Sequence, residues 1–191
     1  MTLDQLAEKH GTDKGTRAVK SGLVPKAYTL AYAKHLARLC GWNCRLLEIG
    51  IATGASLRMW KEWLPEADII GVDENLAAVR SVGPEARAYH GSQADITFLD
   101  LVGREAGPFD AIIDDGSHQS DDQRASLAAL WPWLSPGGVY AIEDLHALGA
   151  AEMVVTLHAG CSGLARGATW LHGLASIHWY SRLVILVKGT S

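Results

Sequence analysis

A short apolar run that ends in a glycine turn is the feature of this sequence that most constrains the fold. The run Arg45–Ile49 suits a buried strand, and Gly50 and Gly54 follow it closely. Glycine reaches positive φ without strain and lets the backbone approach a ligand closely. Leu57–Leu64 then has apolar residues at helical spacing, with Ser56 as a cap. The sequence therefore predicts a strand, a tight turn and a helix in succession.

The rest of the chain repeats this alternation. Further strands are predicted at Asp68–Val72, Ala86–Tyr89, Phe109–Ile113 and Gly138–Ile142, with one or two more in Ile177–Val187; helices are predicted at residues 3–9, Tyr28–Leu39, Ile96–Arg104 and Gln119–Leu134. Strands that alternate with helices indicate right-handed crossovers and a mostly parallel α/β sheet. His10–Pro25 is predicted as a loop, and the glycine-containing residues 147–176 as a mobile loop-rich segment.

Length and composition indicate one domain. The chain has 191 residues, of which 48% are hydrophobic and 20% charged, and this suits a single hydrophobic core. We divide it into an N-terminal helical or lid segment, residues 1–40, and a core, residues 41–191. The net charge of -4 argues against nucleic acid as a substrate, because a phosphate backbone recruits basic surfaces. No apolar run has the ~18–20 residues of a membrane helix, and three cysteines without a metal-ligand pattern fit a reducing cytoplasm.

Carboxylates follow the predicted strands at the points where the strands end. These residues are Glu48, Asp73, Asp114, Asp115, Glu143 and Asp144. A buried parallel strand has no structural need to finish in a carboxylate, and ligands in such sheets bind beyond the carboxyl ends of the strands. The repetition at four strand ends therefore predicts a ligand site at this edge.

The glycine turn and Asp73 indicate which class of cofactor the site binds. The spacing from Gly50 to Gly54 is G-x-x-x-G, which differs from the G-x-G-x-x-G that cradles a dinucleotide pyrophosphate. An S-adenosylmethionine site needs no phosphate cradle, and Asp73 at the end of the second strand can accept both ribose hydroxyls. A glycine turn in an unrelated α/β protein stays open as the alternative.

A second group of carboxylates is a candidate metal site: Asp115, Glu143 and Asp144. Three like charges in one pocket repel each other unless a cation neutralises them, and a hard divalent ion such as Mg²⁺ suits oxygen ligands alone. Solvated loop carboxylates are the alternative. His118 lies three residues beyond Asp115 and can remove the proton of a substrate hydroxyl. His146 is a weaker candidate for the base.

Several motifs together resemble one enzyme family. The stretches are LLEIGIATGASLRMW, IIGVDEN, HGSQAD, FDAIIDDGSH and GGVYAIEDLH, preceded by HGTDKG…YTLAYAKHL. They resemble the class I S-adenosylmethionine-dependent methyltransferases, and more narrowly the metal-dependent sugar O-methyltransferases of the macrocin and mycinamicin type from antibiotic biosynthesis. The similarity covers most of residues 10–146. It implies a Rossmann-like, doubly wound, mostly parallel seven-stranded sheet with an antiparallel last strand.

The resemblance also implies roles for individual residues. Glu48 and Gly50 are implied to line the cofactor, Asp73 to hold its ribose, and Gln93 and Asp95 to lie near its adenine, where Ser92 is a further candidate. Asp114 is another expected cofactor contact, and Tyr28 and Thr29 are expected over the methionine end. Tyr28 can equally be a helix-face aromatic packed on the sheet. Asp115 with the Glu143–Asp144 pair is implied to bind the metal, and His118 to be the base.

The function expected from this resemblance is Mg²⁺-dependent O-methylation of a sugar or polyhydroxylated natural product. N-methylation, methylation of a catechol or phenol, and a non-catalytic cofactor-binding subunit stay open as alternatives. The expected partner is a small-molecule acceptor, with no nucleic acid and no membrane, and assembly into a homo-oligomer is left open. Trp170 and His172 are candidate acceptor contacts.

Overall fold

The computed structural model describes residues 1–17, 24–162 and 171–190. Within these ranges one sheet contains the strands β1 (Arg45–Ile49), β2 (Asp68–Asp73), β3 (Arg87–His90), β4 (Phe109–Asp114), β5 (Leu134–Ile142), β6 (Leu174–Tyr180) and β7 (Leu183–Lys188). The α-helices there are α1 (Leu3–His10), α2 (Tyr28–Leu36), α3 (Ala55–Trp63), α4 (Leu76–Ser81), α5 (Ile96–Ala106), α6 (Ser120–Leu130) and α7 (Ala147–Ser162).

The sheet has the strand order β3-β2-β1-β4-β5-β7-β6. Strands β1 to β5 run parallel to one another, and β7 pairs antiparallel with both β5 and β6. This confirms the predicted Rossmann-like sheet with its antiparallel last strand. The strand order reverses between β1 and β4, so their carboxyl ends border the crevice where such sheets bind ligands.

Helices cover both faces of the sheet, and each face has its own apolar core. On one face Tyr32 of α2 and Trp60 of α3 pack edge to face above β1. On the other face Leu99 of α5 and Leu127 of α6 pack against Phe109 of β4. Because the sheet is buried on both faces, the strands are apolar nearly throughout. The buried carboxylates Glu48 and Asp114 lie near the carboxyl ends of β1 and β4.

The glycine turn after β1 brings two strand ends together. Gly50 has φ +92°, and a Cβ placed there would lie 2.1 Å from the carbonyl oxygen of Asp115. No side chain fits this gap, so β1 and the loop after β4 depend on glycine for their close approach. Gly54, with φ +72°, caps α3, which begins at Ala55. The prediction that Ser56 caps this helix was therefore wrong, since Ser56 lies inside it.

Two segments differ from the predictions. Residues 147–176 are not mainly loop, because α7 occupies Ala147–Ser162 and buries Met153 and Leu157 against the sheet. The alanines and leucines of this stretch favour a helix despite its glycines. The helix predicted to reach Leu134 ends at Leu130, where Pro132 enters a short 3₁₀ turn, and β5 begins at Leu134. Trp170 lies outside the described residues.

None of the helices in the described ranges combines the length and the apolar character that a membrane crossing requires.

Candidate functional site

A cavity of about 380 Å³ opens at the carboxyl ends of β1, β2 and β4. Its wall includes Gly50 and Asp73 from the sheet, Asp115 and His118 from the loop after β4, and Lys26 from the N-terminal part of the chain. The volume lies within the range of small-molecule sites. The site therefore lies at the strand-order reversal, where the sequence predicted it.

Asp73 fixes the glycine turn from the neighbouring strand. Its Oδ2 accepts hydrogen bonds from the backbone N–H groups of Ile51 at 2.8 Å and Ala52 at 3.1 Å, while Oδ1 accepts one from Asn75 at 2.7 Å. Three backbone donors hold the carboxylate in one orientation at the cavity wall. A carboxylate so placed suits the vicinal hydroxyls of a ribose.

Gln93 and Asp114 form a buried support beneath the cavity floor. The Gln93 amide donates to Asp114 Oδ1 at 3.0 Å, and its carbonyl accepts from the Ser117 backbone N–H at 2.6 Å. Burial raises the pKa of Asp114 to about 6, although hydrogen bonds from Ser126 and Gln93 act in the opposite direction. Gln93 lines the cavity and Asp114 does not, so Asp114 positions the loop that carries His118.

The other predicted cofactor residues have local partners. Asp95 accepts hydrogen bonds from the Thr97 and Phe98 backbone at 3.0 Å and caps α5. Thr29 is buried and donates to Asp4 at 2.8 Å. Neither side chain lines the cavity, so their predicted contacts with a cofactor stay predictions.

Asp115, His118 and Asp144 converge beside the cavity. One ligand atom from each lies within 4.8 Å of the other two. His118 Nε2 is 3.5 Å from Asp144 Oδ2, while its buried Nδ1 has no hydrogen-bond partner among the described residues. The backbone of His118 has φ +60°, which directs the ring from the loop towards this group. Two carboxylates and one imidazole can hold a divalent cation or pass a proton.

Asp144 is oriented by two groups from the N-terminal part of the chain. Lys26 Nζ lies 2.6 Å from Asp144 Oδ2, and the Tyr28 hydroxyl donates to Oδ1 at 2.8 Å. Burial alone would raise the pKa of Asp144, but these two hydrogen bonds hold it below its usual value. Tyr28 is buried and does not line the cavity, so its contact is with a candidate metal ligand.

Glu143 faces inward, towards a buried lysine. Lys14 Nζ lies 2.8 Å from both Glu143 carboxylate oxygens, 2.7 Å from Asp115 Oδ2 and 3.2 Å from Glu48 Oε1. The Tyr32 hydroxyl donates to Glu143 as well. Burial alone would lower the pKa of Lys14, but the charges of Asp115, Glu143 and Glu48 raise it well above its usual value. Lys14 is therefore a permanent cation inside the carboxylate cluster.

Lys14, Lys26 and Tyr32 are the contributors that sequence reasoning missed. Lys14 stands in the stretch HGTDKG, whose resemblance to the family was the available signal. Of the weaker candidates, His146 is exposed and lies off the cavity, and the backbone carbonyl of His172 accepts a hydrogen bond from Trp131.

The sequence of this chain is similar to those of known methyltransferases. A family model described as a methyltransferase domain matches residues 47–145. The mycinamicin VI 2''-O-methyltransferase of Micromonospora griseorubida is 40% identical over 129 residues, which is 62% of this chain and 31% of that protein. The 8-demethyl-8-(2-methoxy-alpha-L-rhamnosyl)-tetracenomycin-C 3'-O-methyltransferase of Streptomyces olivaceus is 39% identical over 153 residues, 75% of this chain and 36% of that protein.

A solved structure extends the similarity to the whole fold. The MycE methyltransferase of the mycinamycin biosynthetic pathway, in complex with Mg and SAH, has a TM-score of 0.84 and 28% identity. The match covers 99% of this chain and 55% of that one. The chain spans about a third of the length of the curated relatives it matches. With its cavity at the strand-order reversal and a family match over residues 47–145, the chain belongs to the S-adenosylmethionine-dependent methyltransferase family.

Proposed function

We propose that this chain methylates a hydroxyl group of a sugar or a sugar-bearing natural product, with S-adenosylmethionine as donor and Mg²⁺ as activator. The observation that carries the proposal is the convergence of Asp115, His118 and Asp144 beside the cavity that Gly50 and Asp73 line. Sugar O-methyltransferases of antibiotic pathways among the relatives support the acceptor class.

The cofactor half of the site fits S-adenosylmethionine. Gly50 lets the turn after β1 lie directly against the loop that carries Asp115 and His118, because a Cβ there would be 2.1 Å from the Asp115 carbonyl oxygen. Asp73 presents a fixed carboxylate to the two ribose hydroxyls. The bound cofactor supplies a methyl group on a sulfonium, which needs no further activation as a leaving group.

The charges of the site favour one divalent cation. The cluster contains five carboxylates, those of Asp13, Glu48, Asp115, Glu143 and Asp144, and the three cations Lys14, Lys26 and Arg182 pair with them. A single Mg²⁺ would compensate the two negative charges that remain. Asp115 and Asp144 would hold this ion, because carboxylate oxygens are the donors that Mg²⁺ prefers. Glu143, the third ligand that the sequence predicts, contacts Lys14 instead.

His118 is the proposed general base. A sugar hydroxyl is a weak nucleophile, and a bound Mg²⁺ would lower the pKa of a hydroxyl that coordinates it. The His118 side chain is 33% exposed and lines the cavity, so an acceptor hydroxyl can reach the ring there. Asp144, 3.5 Å from Nε2, stabilises the imidazolium that forms when the ring takes the proton. The remaining work of the site is to align the acceptor oxygen with the methyl carbon.

A product assay tests this function directly. The chain is incubated with S-adenosylmethionine, Mg²⁺ and three acceptor classes: deoxysugar glycosides, catechols and primary amines. We expect methyl ethers on glycoside hydroxyls, identified by mass spectrometry and resistant to mild base. Methylated amines or catechols without glycoside products would move the function to one of the alternatives. Binding of the cofactor without transfer to any acceptor would support a non-catalytic subunit.

Asp73→Ala tests the ribose contact. We expect it to weaken S-adenosylmethionine binding by about 1.5 kcal/mol or more, because two ribose hydroxyls lose a charged acceptor. Isothermal titration calorimetry measures the change. Asp68→Ala, at the opposite end of β2 and paired with Arg87, is the matched control and should keep wild-type affinity. Equal affinities for the two variants would place the ribose elsewhere.

A further inference from the structure

The burial of Lys14 is the feature that the proposed chemistry does not use. A lysine side chain is rarely fully buried without a partner, and this one contacts carboxylates from three separate strand ends. Glu48 belongs to β1, Asp115 follows β4 and Glu143 follows β5. The ammonium thus stands at the centre of the acidic cluster, behind the wall of the cavity.

The cluster divides into an inner and an outer part. Glu48 and Glu143 are completely buried and face Lys14, whereas Asp144 faces Lys26 and His118. Asp115 belongs to both parts, because its Oδ2 contacts Lys14 and a ligand atom of the same residue falls within the group of Asp115, His118 and Asp144. A cation at the inner part would therefore compete for the same aspartate as a cation at the outer part.

We propose that Lys14 acts as a built-in cation that takes the inner part of the cluster and limits the site to one divalent ion. This inference rests on the proposed function, since it presupposes a divalent ion at the outer part. Lys14 is a positioning residue: it holds Asp115 and Glu143 through its ammonium and does not contact the reacting atoms. Without it, the inner carboxylates Glu48, Asp115 and Glu143 form a second site with hard oxygen ligands.

The test is the number of Mn²⁺ ions bound per chain. Electron paramagnetic resonance and calorimetry measure this number on the cofactor-loaded protein. Wild type is expected to bind one Mn²⁺ per chain. Lys14→Met should bind two, or bind one about 10-fold more tightly, because the carboxylates of Asp115 and Glu143 lose a neighbouring positive charge. Lys14→Arg, which keeps the charge, should stay at one. Lys9→Met removes an exposed lysine that pairs with Glu62 and is the matched control.

The outcomes separate this inference from the proposed function. If wild type binds no Mn²⁺, the proposed metal site fails. If wild type and Lys14→Met both bind one ion with equal affinity, Lys14 only stabilises the folded chain and the inference is wrong. If Lys14→Met unfolds, the proposal expects Mn²⁺ to restore a cooperative thermal transition, because a divalent ion can replace the ammonium.

If Lys14→Met unfolds and Mn²⁺ does not restore its thermal transition, a variant that keeps Lys14 tests the inference. Glu48→Gln removes one negative charge from the inner part, so Lys14 attracts Asp115 and Glu143 more strongly. Mn²⁺ binding should then weaken several-fold, although Glu48 does not belong to the outer group. Unchanged Mn²⁺ affinity in Glu48→Gln would overturn the inference.

Discussion

His118→Asn is expected to lower kcat by about 10²–10⁴ while S-adenosylmethionine affinity stays at the wild-type level, because the variant loses a positioned general base. Asparagine is the right replacement here. His118 has φ +60°, and asparagine tolerates this left-handed conformation better than alanine does. The loss of rate can then be assigned to the imidazole rather than to a strained loop.

Three measurements distinguish a base from its alternatives. Calorimetry with Mg²⁺ shows whether His118 is a metal ligand, since a ligand's removal would weaken Mg²⁺ binding and a base's removal would not. If the imidazole is the base, the wild-type rate should fall at acidic pH and the rate of the variant should lack this fall. His146→Asn, which changes an exposed histidine off the cavity, is the matched control and should keep wild-type kcat. Wild-type kcat in His118→Asn would assign the proton to another acceptor.

The sheet and the position of the site could be predicted from the sequence, because both follow from local patterns. Apolar runs such as Arg45–Ile49 define the parallel strands, and the carboxylates near the ends of these runs lie at the carboxyl edge of the sheet. Parallel strands place these ends together, so Asp73 and Asp115 meet at the same cavity without any further information.

The direction of each side chain could not be predicted in the same way. Glu143 and Asp144 are adjacent in sequence, yet one turns inward to Lys14 and the other towards Lys26 and His118. Which lysine reaches which carboxylate depends on how the N-terminal segment closes over the sheet. Lys14 and Asp115 are 101 residues apart, and their contact exists only in the folded chain.

Capping and packing explain the remaining differences. Asp95 has the family's expected place near a cofactor, but its side chain satisfies the backbone at the start of α5. The glycines of residues 147–176 suggested a loop, whereas the apolar residues between them are buried by the sheet and stabilise α7. In α7 a tertiary contact outweighs the local signal, whereas the contact of Asp95 is a local one.

Removal of divalent cations is expected to abolish methyl transfer. With EDTA, kcat should fall by about 10² or more, because the acceptor hydroxyl loses the charge that lowers its pKa. Mg²⁺ or Mn²⁺ should restore the rate better than Zn²⁺, since carboxylate oxygens are hard ligands. Thermal unfolding supplies an independent measurement: Mg²⁺ should raise Tm by neutralising the carboxylates that Lys14, Lys26 and Arg182 leave uncompensated.

Asp144→Asn separates a bound metal from a general effect of salt. This residue is held by Lys26 and Tyr28 and belongs to the group with Asp115 and His118, so its neutralisation should weaken Mg²⁺ binding by about 10-fold or more. Asp121→Asn changes an exposed carboxylate of α6 by the same charge and should leave Mg²⁺ affinity unchanged. Full turnover in EDTA, in protein that mass spectrometry shows to be free of metal, would contradict the metal site. The carboxylates would then serve only to orient His118 and to anchor the N-terminal segment through Lys14 and Lys26.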